Sequence, residues 1–401
     1  MQFLKLIFNS YSFGDQCLII QIANHWAKFK NKRLILIPWK FYKVSKIQFE
    51  SRGNNALFNM SSNYTINNFF VRQIFKIIKI TQIFLQYLII VFSRIFLKKK
   101  ISPKHIAIIN TSSLEELFGD LNLKQIRKKK IFNSNFNFKF SKNQTSYCNE
   151  YLNKNFNIDI NDKYAILHVR ESRIIKDTSE QDYLRNANIN SFNLGIKKLI
   201  EKEFKVIRIG NELSTRNYFE HSKQNYIEYC FSDKKKDILD IFLIKNANLI
   251  LGTQSGVVEC GGMFPNIKIL TTNMSPIQIH WSPRKYNDLG IFKNTILNSK
   301  SLNSYDQLNF HLSNFTHIFD KPNTKQSFEI TDNSSEEILS LVSEGLNENI
   351  KISQIKFNKF KNYTVLKRLR FLLNKKIINK YQFNFLYFKS ILPEGHIARI
   401  N

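Results

Sequence analysis

Cysteine is scarce in this chain of 401 residues, and the four cysteines show no pairing pattern. Cys17, Cys148, Cys230 and Cys260 lie far apart and form no C-x-x-C pair. Disulfide frameworks and structural zinc sites both depend on closely grouped cysteines. The sequence therefore argues against both kinds of site, and it favours a reducing compartment such as the cytoplasm.

Long apolar runs are missing as well. The opening run, residues 2–8, is too short for the hydrophobic region of a secretory leader and is predicted to be a β-strand. The longest apolar tract spans residues 69–96, but three basic residues interrupt its first half, and residues 81–92 are fewer than the roughly 20 that cross a bilayer. We therefore predict a basic amphipathic segment over residues 69–100, either packed in a core or lying on a membrane surface.

Acidic residues are rare at both ends of the chain. Residues 1–150 hold 24 Lys and Arg against 6 Asp and Glu, and residues 351–401 hold 12 against 1. Residues 151–350 hold 24 of each, so the net charge of +29 belongs to the ends. Basic surfaces attract anionic lipids, acidic glycans or nucleic acid. Because no nucleic-acid-binding module accompanies the charge, nucleic acid is not expected, and an anionic membrane surface stays open as a partner.

Apolar runs that alternate with helical periodicity indicate an α/β protein. Strands at 3–8 and 34–37 enclose a helix from Cys17 to about residue 28, which makes a βαβ unit in a first lobe, residues 1–150. Another short strand is predicted at 105–109. Residues 120–150 are polar, and we place the linker between the lobes there.

Residues 151–350 predict a second, doubly wound lobe with five strands, at 164–167, 206–209, 226–230, 249–251 and 267–270. Helices are expected at 191–204, at 238–244, near Gly256 and from a Ser334 cap to about residue 346. Residues 351–401 form a basic helical tail, expected to pack on the first lobe. The predicted fold is thus two Rossmann-like α/β lobes with a basic helical C-terminal tail.

Polar residues follow the predicted strands of the second lobe where each strand ends. Ligands of open parallel sheets bind at the carboxyl ends of the strands, so these residues are expected to converge on one crevice. The candidates after the strands are His168, Arg170, Glu171, Gly210, Gly252, Thr253, Gln254, Ser255, Gly256 and Glu259, with Arg185 and Asn186 on a loop. Residues 271–273 follow the last of these strands.

The chemistry of these residue types suits a diphosphate. Backbone N–H groups and the hydroxyls of Thr253 and Ser255 can donate to phosphate oxygens, and glycines allow close approach. Arg170 can bind phosphate bidentately and neutralise a leaving diphosphate. Each feature also has a purely structural interpretation. The loop would be a tight strand-to-helix turn, Arg170 would form a surface ion pair, and the imidazole of His168 would form a hydrogen bond with the backbone.

Four blocks of sequence, at 167–172, 184–189, 206–210 and 252–256, resemble a family of bacterial glycosyltransferases associated with surface-polysaccharide gene sets, including O-antigen. More distantly, the His168-Val169-Arg170 motif and the loop at 252–256 are similar to fucosyltransferases that use GDP-fucose. Two residues depart from these patterns: Asn188 stands where the family has an acid, and Asp15 stands where the fucosyltransferases have Asn.

The resemblance implies a GT-B-like arrangement. It also implies hexosyl or fucosyl transfer from a nucleotide sugar to a glycan or lipid-linked acceptor, with inversion and without a metal or other cofactor. Arg170 would stabilise the leaving group, Asp15 or Glu171 would deprotonate the acceptor, and Glu259 would bind the donor ribose. The expected place is the cytoplasm, with the inner face of the membrane as an option. The alternatives are a nucleotide-sugar epimerase of the same fold, a basic nucleic-acid-binding protein and a sugar-binding relative without turnover.

Overall fold

The computed structural model divides the chain into two compact units. The first comprises Met1–Ser141 and Asn379–Phe385, and the second comprises Lys142–Ile378 and Leu386–Asn401. The structure describes residues 3–7, 13, 14, 16, 17, 20, 24, 33–37, 54, 56, 57, 70, 73, 74, 77, 81, 138–171, 184, 186–210, 215–217, 219, 225–276, 285, 287–314, 324, 326–347, 352–376, 378, 396 and 397.

The first unit contains two parallel strands, β1 (Phe3–Ile7) and β2 (Arg33–Ile37). Between them, the described residues 13, 14, 16, 17, 20 and 24 are helical, in agreement with the predicted βαβ order. Gln16 is buried, and its Oε1 accepts a hydrogen bond of 2.9 Å from the backbone N–H of Asn54. The predicted strand at 105–109 lies outside the described residues.

The second unit is built on a sheet of seven strands in which every neighbouring pair is parallel. The strands are β3 (Tyr164–His168), β4 (Lys205–Arg208), β5 (Tyr226–Ile227), β6 (Leu249–Thr253), β7 (Lys268–Met274), β8 (Leu289–Phe292) and β12 (His396–Ile397). A separate antiparallel sheet pairs β9 (Asn294–Leu297) with β10 (Lys300–Ser301) and β11 (Phe328–Thr331). Fully buried parallel strands are apolar along their whole length, which is why the apolar runs predicted them.

Helices cover both faces of the parallel sheet. They are α1 (Lys142–Phe156), α2 (Asn193–Glu201), α3 (Asp237–Asn246), α4 (Gly256–Gly261), α5 (Ser304–Asn314), α6 (Ser335–Leu346) and α7 (Ile352–Asn374). On one face, α2 and α6 pack with Leu167, Leu251 and Leu270 in one core. On the other face, α4 lies so close to Ile250 and Ile269 that there is no room for a side chain at position 261, where the residue is Gly261. Together with the parallel strands, these layers give the doubly wound α/β fold of the second unit.

Strand order fixes where the sheet can bind a ligand. The order is β12-β8-β7-β6-β3-β4-β5, so the chain builds outward from β3 to β5 and then crosses back to β6 on the other side of β3. This is the Rossmann-like order, and its direction reverses between β3 and β6. The crevice at the carboxyl ends of these two strands is the expected ligand position.

The structure differs from the predicted elements in several places. Residues 142–150, predicted as linker, form the start of α1 in the second unit. The elements from β8 to β11 were not predicted. The predicted tail is divided: its helix α7 belongs to the second unit, where Phe357 packs on Phe292 and Tyr305, and Asn379–Phe385 belong to the first unit, on which the tail was expected to pack. Among the described helices, none is both long and apolar enough to cross a bilayer.

Candidate functional site

Arg170 and the loop after β6 meet at the reversal point of the sheet. His168, the last residue of β3, pairs with Gly252 in β6. Two residues later, the backbone N–H of Arg170 donates to Oγ1 of Thr253 at 2.9 Å. The predicted donor-binding blocks at 167–172 and 252–256 are therefore adjacent, as their positions at neighbouring strand ends required.

Residues 186 and 187 also form hydrogen bonds with Arg170. Its Nε–H donates to Oδ1 of Asn186 at 3.2 Å, and its carbonyl accepts from the backbone N–H of Ala187 at 2.9 Å. These contacts bring the predicted loop residue Asn186 to the strand end and orient the half-buried guanidinium. Arg185 lies outside the described residues, and so does Asp15.

Three residues of the loop from Gly252 to Gly256 have structural roles. A Cβ on Gly252 would lie 2.6 Å from the carbonyl oxygen of His168, so this glycine permits the strands to approach each other. Gln254 is fully buried, and its Oε1 accepts from the backbone N–H of Ser275 at 3.1 Å, which ties the end of β6 to the end of β7. Gly256 begins α4.

Ser255 differs from its neighbours. It is the N-cap residue of α4 with an extended backbone, yet its side chain makes no capping hydrogen bond. The residue is 5% exposed, and within the described part of the chain its Oγ has no hydrogen-bond partner. A buried hydroxyl normally has a partner, so this atom is available to a ligand.

Glu259 and Gly210 are two further residues predicted to bind the donor. Glu259 lies on α4 and is 1% exposed, so its predicted contact with a donor ribose stays a prediction. The carbonyl oxygen of Gly210 accepts a hydrogen bond from Nζ of Lys235. Nζ of Lys235 also lies 3.9 Å from Oδ2 of Asp240, so Lys235 brings a cation to the end of β4 that was not predicted.

The imidazole of His168 forms a hydrogen bond with the backbone, which is the structural interpretation of this residue. Its Nδ1 lies 3.0 Å from the carbonyl oxygen of Ile209, so Nδ1 carries the proton and donates. The pKa of His168 is lowered to about 4, mainly by burial and also by the charges of Arg208, Arg170 and Lys235, while the bond to Ile209 opposes this shift. The ring is therefore neutral near pH 7, with Nε2 as an acceptor. This arrangement does not favour a contact between Nε2 and a phosphate oxygen.

Glu171 is held in a buried cluster of charges. Arg208 is 1% exposed, and its guanidinium binds Glu171 at 3.0 Å and Glu228 at 2.8 Å. Glu171 also accepts from the backbone N–H of Thr215 at 3.1 Å. These bonds favour a structural role for Glu171 over the predicted role as acceptor base, because they occupy the carboxylate inside the protein.

A sequence signal for this cluster did exist. Glu171 follows β3, Arg208 ends β4 and Glu228 follows β5, and these three strands are neighbours in the sheet. A lone arginine in an apolar strand, with acids after the adjacent strands, predicts a buried ion pair.

Residues 271–273, predicted to follow a strand, are part of β7. Asn273 has a φ of 51° and exchanges hydrogen bonds with Asn333: each backbone N–H donates to the other side chain, at 2.6 and 2.8 Å. Asn273 therefore joins β7 to the residue before the Ser334 cap of α6 and is structural.

In the described part of the chain, no three His, Cys, Asp or Glu side chains are grouped so that they could hold a metal ion. Comparisons of the chain with known protein families, with curated proteins and with solved structures gave no match.

Proposed function

We propose that the chain is a glycosyltransferase whose second unit binds a nucleotide-diphosphate sugar at the carboxyl ends of β3 and β6. The observation that carries the proposal is the bond from the N–H of Arg170 to Thr253, at the point where the strand order reverses. Open α/β sheets bind nucleotides at such points. The resemblance to bacterial glycosyltransferases suggests the reaction, and the strand-end geometry supports the donor site.

Arg170 stabilises the leaving group in this proposal. As the bond between the sugar and the diphosphate breaks, negative charge grows on the diphosphate oxygens, and a guanidinium pairs with that charge. The bond from Nε to Asn186 orients the plane of the guanidinium before the donor binds. Such prior orientation lowers the barrier, because the protein need not rearrange as the charge develops.

Ser255 supplies a hydroxyl donor to the same diphosphate. Its Oγ is buried and has no partner among the described residues, so a phosphate oxygen would satisfy it. The acceptor oxygen attacks the anomeric carbon as the nucleotide diphosphate leaves, and a carboxylate takes the acceptor proton. Asp15 is the remaining candidate for that carboxylate. The acceptor is a glycan or a lipid-linked glycan of a cell-surface polysaccharide.

Calorimetry with Arg170→Ala tests the donor site. The parent is titrated with UDP-, GDP-, CMP- and dTDP-sugars and with the matching nucleosides. Loss of hydrogen bonds to a charged group costs about 1.5–3 kcal/mol, so the variant should bind the diphosphate donor roughly 10- to 150-fold more weakly. Nucleoside affinity should not change. Arg370→Ala, on the exposed face of α7, is the control that removes an arginine elsewhere.

Two results would contradict the donor site: a parent that binds none of these sugars, or a variant that binds them as tightly as the parent. Product analysis then tests the reaction. A glycosyltransferase releases the nucleotide diphosphate and glycosylates an acceptor, whereas an epimerase returns an altered nucleotide sugar without any acceptor. Donor binding without either product would assign the chain to the sugar-binding relatives.

A further inference from the structure

We propose that the exposed face of α7 docks on an anionic membrane surface. This helix has 23 residues and contains no Asp or Glu. One face is buried and includes Phe357, Val365, Leu369 and Leu372. The exposed residues recur every three or four positions and are mainly basic or aromatic: Lys356, Lys359, Tyr363, Lys367, Arg370 and Phe371.

The residue types on this face suit the head-group region of a bilayer. Lysines and arginines attract anionic lipids, and tyrosine and phenylalanine insert at the level of the head groups. Tyr363 is 66% exposed and Phe371 is 47% exposed, although both carry large apolar rings. The guanidinium of Arg368 lies 5.3 Å from the centre of the Phe371 ring, so a cation accompanies the more buried ring.

The first unit also exposes large apolar side chains within a basic segment. Phe70, Ile74 and Ile77 are helical and are 76%, 57% and 63% exposed. Their spacing places them on one side of a helix. Residues 51–100, which contain them, hold eight Lys and Arg and no acid.

The exposed isoleucines favour a membrane over nucleic acid. Single-stranded nucleic acid is held by aromatic rings that stack on the bases, and an isoleucine cannot stack in this way. A bilayer buries aliphatic side chains just below its head groups, while neighbouring cations hold the lipid phosphates. The exposed aliphatic residues of the first unit and the missing acids of both segments therefore each favour an anionic lipid surface as the partner of the chain.

Vesicle flotation of the full-length chain tests the proposal. The protein should float with vesicles that contain phosphatidylglycerol and not with phosphatidylcholine alone, and salt should weaken the binding. Each basic side chain near such a surface strengthens binding by roughly fivefold. The triple variant Lys356→Gln, Lys359→Gln and Lys367→Gln should therefore bind about a hundredfold more weakly.

A matched triple variant, Lys154→Gln, Lys202→Gln and Lys300→Gln, removes the same charge from exposed positions elsewhere in the second unit and should bind nearly as the parent does. Replacing Phe70, Ile74 and Ile77 by Ser should weaken vesicle binding by at least about tenfold, because the apolar area is no longer buried. Unchanged circular dichroism verifies that each variant folds.

Equal flotation with neutral vesicles would overturn the proposal, and so would equal loss in the two lysine variants. Retention of DNA without vesicle binding would assign the basic face to nucleic acid instead. None of these outcomes depends on the nucleotide-sugar site.

Discussion

Replacing Arg208 by Met is expected to destabilise the second unit strongly. The guanidinium is 1% exposed and binds two carboxylates, those of Glu171 and Glu228. It also donates to the carbonyl oxygen of Thr215 at 2.7 Å. Met keeps much of the volume of the arginine stem, so the substitution removes charge and hydrogen bonds with little change in packing.

The expected loss in free energy of unfolding follows from the carboxylates that the substitution leaves without their guanidinium partner. Removing one partner of a buried ion pair costs about 3–5 kcal/mol, because the other charge stays desolvated. Glu171 is 8% exposed and would lose its buried guanidinium partner, whereas Glu228 is 19% exposed and better solvated. We therefore expect the free energy of unfolding to fall by about 4 kcal/mol near pH 7.

Urea unfolding followed by circular dichroism measures this loss. Lys198→Met is the control, since Lys198 forms an exposed pair with Glu201 at 3.6 Å, and such pairs contribute at most about 1 kcal/mol. Glu228→Gln, which keeps shape and removes the more exposed carboxylate, should lie between the two. An Arg208→Met variant as stable as Lys198→Met would refute the assignment of a structural ion-pair cluster.

Three further predictions concern other elements of the second unit. Ser334→Ala should lower the free energy of unfolding by about 1 kcal/mol in urea titrations, because Ser334 and Glu337 form a reciprocal cap at the start of α6. Gly252→Ala should cost at least about 2 kcal/mol and weaken donor binding in calorimetry, since its Cβ would meet the backbone of β3. The pKa of His168 is lowered to about 4 from about 6.5, so the unfolded chain takes up this proton first as the pH falls. Stability should therefore decline from pH 6.5 towards pH 4, and less so in His168→Gln; ring NMR of the parent should show no titration of His168 near pH 6.5.

The parallel sheet was predictable because of its burial. Its strands are covered on both faces, so they appear in the sequence as short apolar runs between helical periods. Residues 289–331 were not predicted, because β9, β10 and β11 are short and partly exposed and their sequences mix polar with apolar residues. For α7 the periodicity predicted a helix, but it carried no information about the partner, which is set by contacts such as Phe357 with Tyr305.

Predicting the candidate site depended on one rule, that polar residues after parallel strands share an edge of the sheet. That rule brought Arg170 and Thr253 together correctly. It could not separate ligand contacts from internal bonds, because both uses select polar residues at strand ends. Gln254 and Asn273 follow or end strands in the same way, yet their side chains accept backbone N–H groups from Ser275 and Asn333.

A polar side chain that serves the structure can be told from one that contacts a ligand by whether the protein itself supplies its hydrogen-bond partner. Internal partners satisfy the amide of Asn273 and the carboxylate of Glu171, so neither needs a ligand. Oγ of Ser255 is buried at the same edge with no partner among the described residues. Burying a hydroxyl without a partner costs about 1–3 kcal/mol, and a bound phosphate oxygen would remove that cost. The edge is therefore a structural joint, and the unsatisfied hydroxyl of Ser255 and the guanidinium of Arg170 stay the proposed donor contacts there.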